Sequence, residues 1–236
     1  MNEIKLSPRL LAAANMVRPS ARLVDVGTDH AYLPVYLAQK GAISCALASD
    51  IAKGPIERAQ AHIRAQGVEN AVQTALSPGL EGAADFAPTD IVIAGMGGEM
   101  IVSIIEDAPF VRDPSISLIL QPMSKQEILR AYLSREGFAI LEERAALEDR
   151  RVYQILRCAY DGRPYTLSPL EAQIGPLLIK TEGKEVDALL EKYRAKLKKS
   201  LAGQRSAGRE DEEEASLLAA IEDLQTKRKT TKGNAV

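Results

Sequence analysis

The sequence predicts an α/β fold, a parallel sheet wrapped by helices and followed by a smaller helical unit. Three observations predict it. Short apolar runs at residues 23–27, 43–49, 90–94 and 117–120 have the character of strands, and the run at 90–94 is of the kind buried on both faces. Segments of helical periodicity separate them, which is the alternation a parallel sheet requires. Past residue 160 the pattern changes to two long amphipathic stripes with no strand between them.

Taken in order, the first 17 residues hold an apolar stretch interrupted at Asn15, too short for a secretory or membrane-spanning segment, and the expectation is a cytoplasmic protein. The first strand covers residues 23–27, and a helix follows through Val35 and Leu37 to about Lys40. The second strand ends at Asp50. Pro55 then opens a helix carrying Ile56, Ala59 and Ile63, closed by Gly67. Residues 72–75 form a weak third strand and 90–94 a strong fourth, followed by a helix over 99–107. The fifth strand, 117–120, is closed by Gln121, Pro122 and Met123, with a helix over 124–135 after it. Two further strands near 138–142 and 151–157, joined by a short charged connection, are expected to pair antiparallel at the sheet edge. Residues 161–164 and Ser168-Pro169 have connector composition. Beyond them Val186, Leu189, Leu190, Tyr193, Leu197 and Leu201 recur at helical spacing, as do Leu217, Leu218, Ile221 and Leu224. Gly203 and Gly208 are expected to lie between the two helices, which fold back as an antiparallel hairpin, and residues 230–236 to be disordered. The expected division is a cofactor-binding domain over 1–160 and a connector plus helical hairpin over 161–236.

At 236 residues and 46% apolar composition the chain can bury a full α/β core and something smaller. Cys45 and Cys158 are far apart, each inside an apolar run, so neither a disulfide framework nor a metal spacing is present, and both suit the core. A net charge of −2 gives no general affinity for nucleic acid. The basic residues are nevertheless clustered: Lys192, Arg194, Lys196, Lys198 and Lys199 form one group, and Lys227, Arg228, Lys229 and Lys232 another. These can meet phosphates. The acidic run at 210–214 equally allows a solvated helix pair whose charges complement each other.

The turn after the first strand carries the most chemistry. A dinucleotide pyrophosphate needs several glycines to bring backbone close to two phosphates, and this turn offers only Gly27. Asp25 precedes it and Asp29 follows. Two acids repel a pyrophosphate but accept hydrogen bonds from a cationic, amino-acid-bearing cofactor such as S-adenosylmethionine. Asp50, at the tip of the second strand, stands where an acid accepts from ribose hydroxyls. The second constellation is Gly95, Met96, Gly97 and Gly98 at the carboxyl end of the fourth strand, the edge that faces the ligand crevice in an open α/β sheet. Its glycines let a flat target such as a purine approach the backbone. On the neighbouring strand Gln121 either reads a base edge through its amide or, with Pro122, simply stops the strand.

Together these motifs resemble one family, the bacterial tRNA (adenine-22-N1)-methyltransferases, which use S-adenosylmethionine. The matching pieces are LSPRL at 6–10, DVGTDHAYLP at 25–34, Gly54-Pro55, IAGMGG at 93–98, Leu120-Gln121-Pro122, residues 148–156 with Tyr153, and GPLL at 175–178. The resemblance implies a class I Rossmann-like methyltransferase sheet with a C-terminal helical, antiparallel coiled-coil domain that helps hold tRNA. By position it places Asp25, Gly27, Asp29 and His30 along the cofactor's methionine side, Asp50 on the ribose, and Gly79, Leu80 and Gly95 around the rest of the cofactor. Asp50 stands where the family more often has Glu. Pro78 stands where the family usually has Asp, and Met123 where it often has Asn.

The reaction so implied asks little acid–base work, because adenine N1 carries a free lone pair at neutral pH and positioning dominates. The methylated adenine is cationic, so a carboxylate or carbonyl nearby stabilises the transition state. Asp29 is the candidate, with backbone carbonyls around Gly95 as rivals. His30 either assists or serves as a hydrogen-bonded structural residue, and Tyr32 either stacks on a base or packs in the core. The Lys192, Lys196 and Lys199 cluster, with Arg9, is expected to supply phosphate contacts. Other readings of the same residues remain: a nicotinamide-dependent oxidoreductase, a non-catalytic RNA-binding protein on this fold, or a methyltransferase of another substrate. No obligate protein partner and no membrane association are expected.

Overall fold

The computed structural model describes residues 4–206 and 211–233. A seven-stranded sheet in the order β3-β2-β1-β4-β5-β7-β6 organises the chain. Its strands are β1 (Ala21–Val26), β2 (Ile43–Asp50), β3 (Val72–Leu76), β4 (Asp90–Gly97), β5 (Ser117–Ser124), β6 (Phe138–Glu148) and β7 (Arg151–Tyr160). The first five run parallel, and β7 lies antiparallel to both β5 and β6. In β4 the run Ile91, Val92, Ile93 is wholly buried because helices cover both faces.

One face is covered by α1 (Pro8–Ala14), α2 (Tyr32–Gln39) and α3 (Lys53–Gln66), which bury Ala13, Leu33, Val35, Ala59 and Ile63 against β1 and β2. The other carries α4 (Gly98–Glu106) and α5 (Gln126–Arg135), through Ile101, Ile105, Leu129 and Leu133. Gly67 ends α3 in the left-handed conformation, the stop its sequence announces. Cys158 is buried in the second core, and desolvation pushes its thiol pKa well up.

The chain departs from expectation at several places. The N-terminal segment forms α1, opened by Pro8 at its first position after Ser7. Strand β6 runs on to Glu148 and turns in two residues, Asp149 and Arg150, both at positive φ. Ser168 is not mere connector: with Glu171 it closes a capping box that starts α6 (Pro169–Ile174). Gly203 lies inside α7 (Lys184–Ser206) rather than after it, while Gly208 lies outside the described residues. Helix α8 (Glu212–Gly233) continues through the stretch from 230 expected to be disordered, and 234–236 lie outside the described residues. The helix pair is antiparallel, since Arg228 meets Asp187, Lys198 meets Glu222 and Gln204 meets Glu214. Its core of Leu189, Leu190, Tyr193 and Ile221 also takes in Val152 of β7, docking the pair on the β6–β7 hairpin. No helix among the described residues is long and apolar enough to cross a membrane.

Candidate active site

Parallel register assembles the site at one sheet edge. Val26 pairs with Ser49 on one side and Ile93 on the other, and Ala94 pairs with Gln121. The carboxyl ends of β1, β2, β4 and β5 therefore open together into one crevice.

At the end of β1, Gly27 takes φ +74° and donates its N–H to the Ser49 carbonyl at 2.8 Å, and Thr28 donates to the same carbonyl at 2.9 Å. Thr28 Oγ1 accepts the Ala31 N–H at 3.1 Å. These amides are committed within the protein, so the turn offers them to no pyrophosphate. Beneath it Asp25 is buried, and desolvation pushes its carboxyl pKa up to about 6, with the Thr28 hydroxyl pulling the other way. A buried carboxylate held at that value suits a cationic partner.

Two cavities meet over Gly27. The first, about 570 Å³, is bordered by Arg9, Asp25, Thr28, Asp29, His30, Tyr32, Gly95 and Glu148. The second, about 670 Å³, is bordered by Asp50, Ile51, Pro78, Gly79, Leu80, Met96 and Met100. The Met96 side chain lies against Gly27, its Cε 2.2 Å from where a Cβ would stand; that flexible methyl can shift, so it is the positive φ that demands glycine there. In the second cavity Asp50 Oδ1 accepts the Ala52 N–H at 2.7 Å, which fixes the carboxylate at the tip of β2. Ile51 and Met100 are 74% and 58% exposed, large apolar side chains forming an open slot of the kind a purine ring fills. Neither stands out in the sequence, although an apolar residue directly after the ribose acid, Ile51, is a usable signal. Pro78 is exposed at the rim, Gly79 takes φ +53° and Leu80 is buried.

On the first cavity's far wall Arg9 Nη1 donates to Gln121 Oε1 at 2.7 Å, and the Gly95 N–H donates to the same oxygen at 3.1 Å. The Gln121 Nε2 donates to the Pro122 carbonyl at 3.0 Å. Gln121 is wholly buried with its amide so engaged, which corrects the expectation that it reads a base edge; it holds Arg9 and Gly95 instead. Pro122 is buried as well, not a substrate contact. Gly98 is a packing position: a Cβ there would meet the Lys125 carbonyl oxygen at 2.2 Å. Gly97 is half-buried beside Ser124, leaving Gly95 and Met96 as the members of the glycine run that border the cavities.

Asp29, the expected transition-state carboxylate, is 64% exposed at its side chain. Its Oδ1 takes the Arg58 guanidinium and its Oδ2 lies 3.5 Å from His30 Nε2. The His30 ring stacks on Tyr32 at 5.1 Å, Tyr32 meets His62 edge-on at 5.0 Å, and His62 Nδ1 lies 2.7 Å from the His30 carbonyl. Tyr32 is exposed rather than packed in the core. On α7, Lys192, Lys196 and Lys199 are all exposed, and Lys192 Nζ also donates to the Val152 carbonyl at 3.3 Å. Lys192 borders a separate cleft of about 480 Å³ with Met123, Arg150, Arg151 and Tyr153. Arg194 and Lys198 pair with Glu191 and Glu222. Among the described residues there is no group of three or more His, Cys, Asp or Glu placed to hold a metal.

A family model described as a methyltransferase domain matches residues 6–156. The Bacillus subtilis tRNA (adenine(22)-N(1))-methyltransferase is 34% identical over 187 residues, spanning 76% of this chain and 77% of that enzyme. A Streptococcus pneumoniae protein, proposed to be a tRNA (m1A22) methyltransferase and solved with S-adenosyl-L-methionine, superposes with a TM-score of 0.82. The two are 31% identical, over 93% of this chain and 99% of that one. M. capricolum TrmK, solved with the cofactor product S-adenosyl-homocysteine, gives 0.75 at 25% identity over 94% of this chain and 96% of its own. With its crevice of two cavities and a relative this similar over three quarters of its length, the chain belongs to the tRNA (adenine(22)-N(1))-methyltransferase family.

Proposed function

We infer that this protein methylates N1 of adenine 22 in tRNA, using S-adenosyl-L-methionine. The observation that carries the reading is the pair of cavities meeting over Gly27, with a buried carboxylate on one side and an acid-tipped apolar slot on the other. When bound, the cofactor supplies an electrophilic methyl group on a sulfonium. Asp25 receives its ammonium, Asp50 accepts from the ribose hydroxyls, and Ile51, Leu80 and Met100 enclose the purine. Gly27 lets the chain pass close to the cofactor's centre, and Met96 lies between the two halves.

The target base leaves its stack, at a cost of a few kcal/mol, to enter the cavity beside Arg9 and Gly95. Tyr32 and His30 offer it, or a neighbouring base, a π-face at the entrance. N1 needs no general base, so these residues act by orientation, a contribution of roughly 7–11 kcal/mol in well-aligned systems. We divide the labour between residues 1–160, which carry the reaction, and 161–236, whose α7 lysines hold tRNA. The reading places the work in the cytoplasm and requires neither a membrane nor an obligate protein partner.

Transfer of labelled methyl to unmodified tRNA, with the product nucleoside identified by mass spectrometry, tests it. The expected product is 1-methyladenosine, lost when adenine 22 is replaced by guanine. Cofactor binding without label transfer to any tRNA would overturn the reading in favour of a non-catalytic RNA-binding protein.

A further inference from the structure

Three carboxylates border the first cavity, and only one has no evident employment there. Asp25 lies buried under the cofactor turn and Asp29 is tied to Arg58. The third, Glu148, is the last residue of β6. It is half-buried, held by its ladder pairing with Arg151 across the two-residue turn. Because β7 pairs with β5 only through residues 156–159, the distal half of the β6–β7 hairpin overhangs the sheet and carries Glu148 to the crevice.

Glu148 Oε2 accepts the Arg9 backbone N–H at 3.1 Å, which anchors the first turn of α1. The Arg9 guanidinium goes elsewhere, to Gln121 and over the Tyr153 ring, 5.7 Å from its centroid. Among the described residues Glu148 forms no ion pair, and the Arg9 N–H is its one hydrogen-bond donor. A partly buried carboxylate beside a cavity, with one hydrogen bond and no ion-pair contact among the described residues, is an acceptor with room for a further donor.

We propose that Glu148 accepts a hydrogen bond from the N6 amine of the target adenine, selecting that base and stabilising the charge it gains. The proposal rests on the tRNA adenine reading above. Adenine presents an N1 lone pair next to an N6–H donor, whereas guanine presents an O6 acceptor at that place, which a carboxylate repels. In the transfer, the N1 lone pair forms the new N–C bond while the C–S pair departs with sulfur, so the positive charge of the sulfonium passes to the adenine ring. No proton moves. The charge spreads onto N6, so the bond to Glu148 strengthens in the transition state and accelerates the step rather than merely tightening binding.

A two-by-two comparison tests this. Full-length wild-type protein and Glu148→Ala are given tRNA carrying either adenine or purine, which lacks the C6 amine, at position 22. Single-turnover rates are measured alongside cofactor and tRNA affinities. The wild type is expected to methylate purine about 10- to 100-fold more slowly, the range of a charged hydrogen bond. Glu148→Ala should lose a similar factor on adenine, with both affinities within about twofold of wild type, and its adenine-to-purine rate ratio should be smaller than the wild type's by about that factor. Comparing ratios removes the intrinsic difference in N1 reactivity. Glu148→Gln, which keeps an acceptor for the Arg9 N–H, guards against a folding defect and should fall between the other two. Undiminished discrimination in Glu148→Ala, or an unimpaired rate on adenine, overturns the role of Glu148. A wild-type protein that forms no 1-methyladenosine on any tRNA overturns the functional reading instead.

Discussion

Asp25 is a residue the fold would be more stable without. Burial raises its carboxyl pKa from the ordinary aspartate value of 3.8 to about 6. A raised folded-state value means its favourable contribution is complete below about 3.8 and is lost as pH rises through 6. The free protein at neutral pH therefore carries a destabilisation on the order of 1–3 kcal/mol. A cofactor ammonium reverses the sign, because it favours the charged form. We expect the affinity for S-adenosyl-L-methionine to be level near pH 7 and to fall toward tenfold per unit below about pH 6, with proton release on binding there. Calorimetry in buffers of differing ionisation enthalpy reads both, and an affinity constant from pH 5 to 7 would remove Asp25 from the ammonium site. Asp25→Asn should melt higher than wild type at neutral pH while binding cofactor more weakly. This residue and its neighbours Gly27 and Asp50 were legible in the sequence, since turn chemistry is local. Gln121 was not: an amide at a strand end looks the same whether it faces solvent or takes Arg9 and Gly95 onto one oxygen.

Among the elements, the joint between the sheet and the C-terminal helices is a buried polar knot. Arg130 of α5 is wholly buried, with Nε 2.8 Å from Glu143 Oε1 on β6 and Nη2 2.6 Å from Gln154 Oε1 on β7. Its Nη1 donates to the Ala172 carbonyl of α6 at 3.1 Å. Glu143 Oε2 in turn accepts the Leu177 N–H at 2.8 Å, and Gln154 Nε2 reaches the Tyr193 hydroxyl of α7 at 3.3 Å. Losing one partner of such a pair strands a charge in the interior. Arg130→Met should destabilise the protein by about 3–5 kcal/mol in urea unfolding, and adding Glu143→Gln should recover part of that loss. A shift below about 1 kcal/mol would mean the knot does not hold the joint. The same knot explains why the sixth strand was read too short. Glu142, Glu143 and Arg144 break the apolar pattern, and no sequence rule shows that they are answered by Arg157, Arg130 and one another. The parallel strands were legible because their apolar runs need no such partners. Helix α1 was missed because seven residues are too few to display a period.

Over the whole molecule the charge arrangement decides how much of the basic C-terminal region is open to tRNA. Arg194 and Lys198 are answered by Glu191 and Glu222, as a self-complementary helix pair would have them. Lys192, Lys196 and Lys199, spaced by four and three residues, share another side of α7. That side begins at the cleft bordered by Lys192, Arg150, Arg151 and Tyr153, and Tyr153 carries the Arg9 guanidinium at the wall of the first cavity. A basic path thus leads from the helical hairpin to the crevice, the course a backbone would follow with its base in the cavity. Lys192 contributes least to it, since its ammonium already holds the Val152 carbonyl and desolvation lowers its pKa. Replacing all three lysines with Gln should weaken tRNA binding and flatten the slope of log affinity against log salt by about 2. Cofactor affinity should stay unchanged. The Arg194→Gln, Lys198→Gln pair should leave that slope nearly as in wild type, because those charges are spent within the hairpin. Binding titrations at four or five salt concentrations separate the two variants. Equal slopes for both would mean that tRNA sees the region as a diffuse field rather than as this one face.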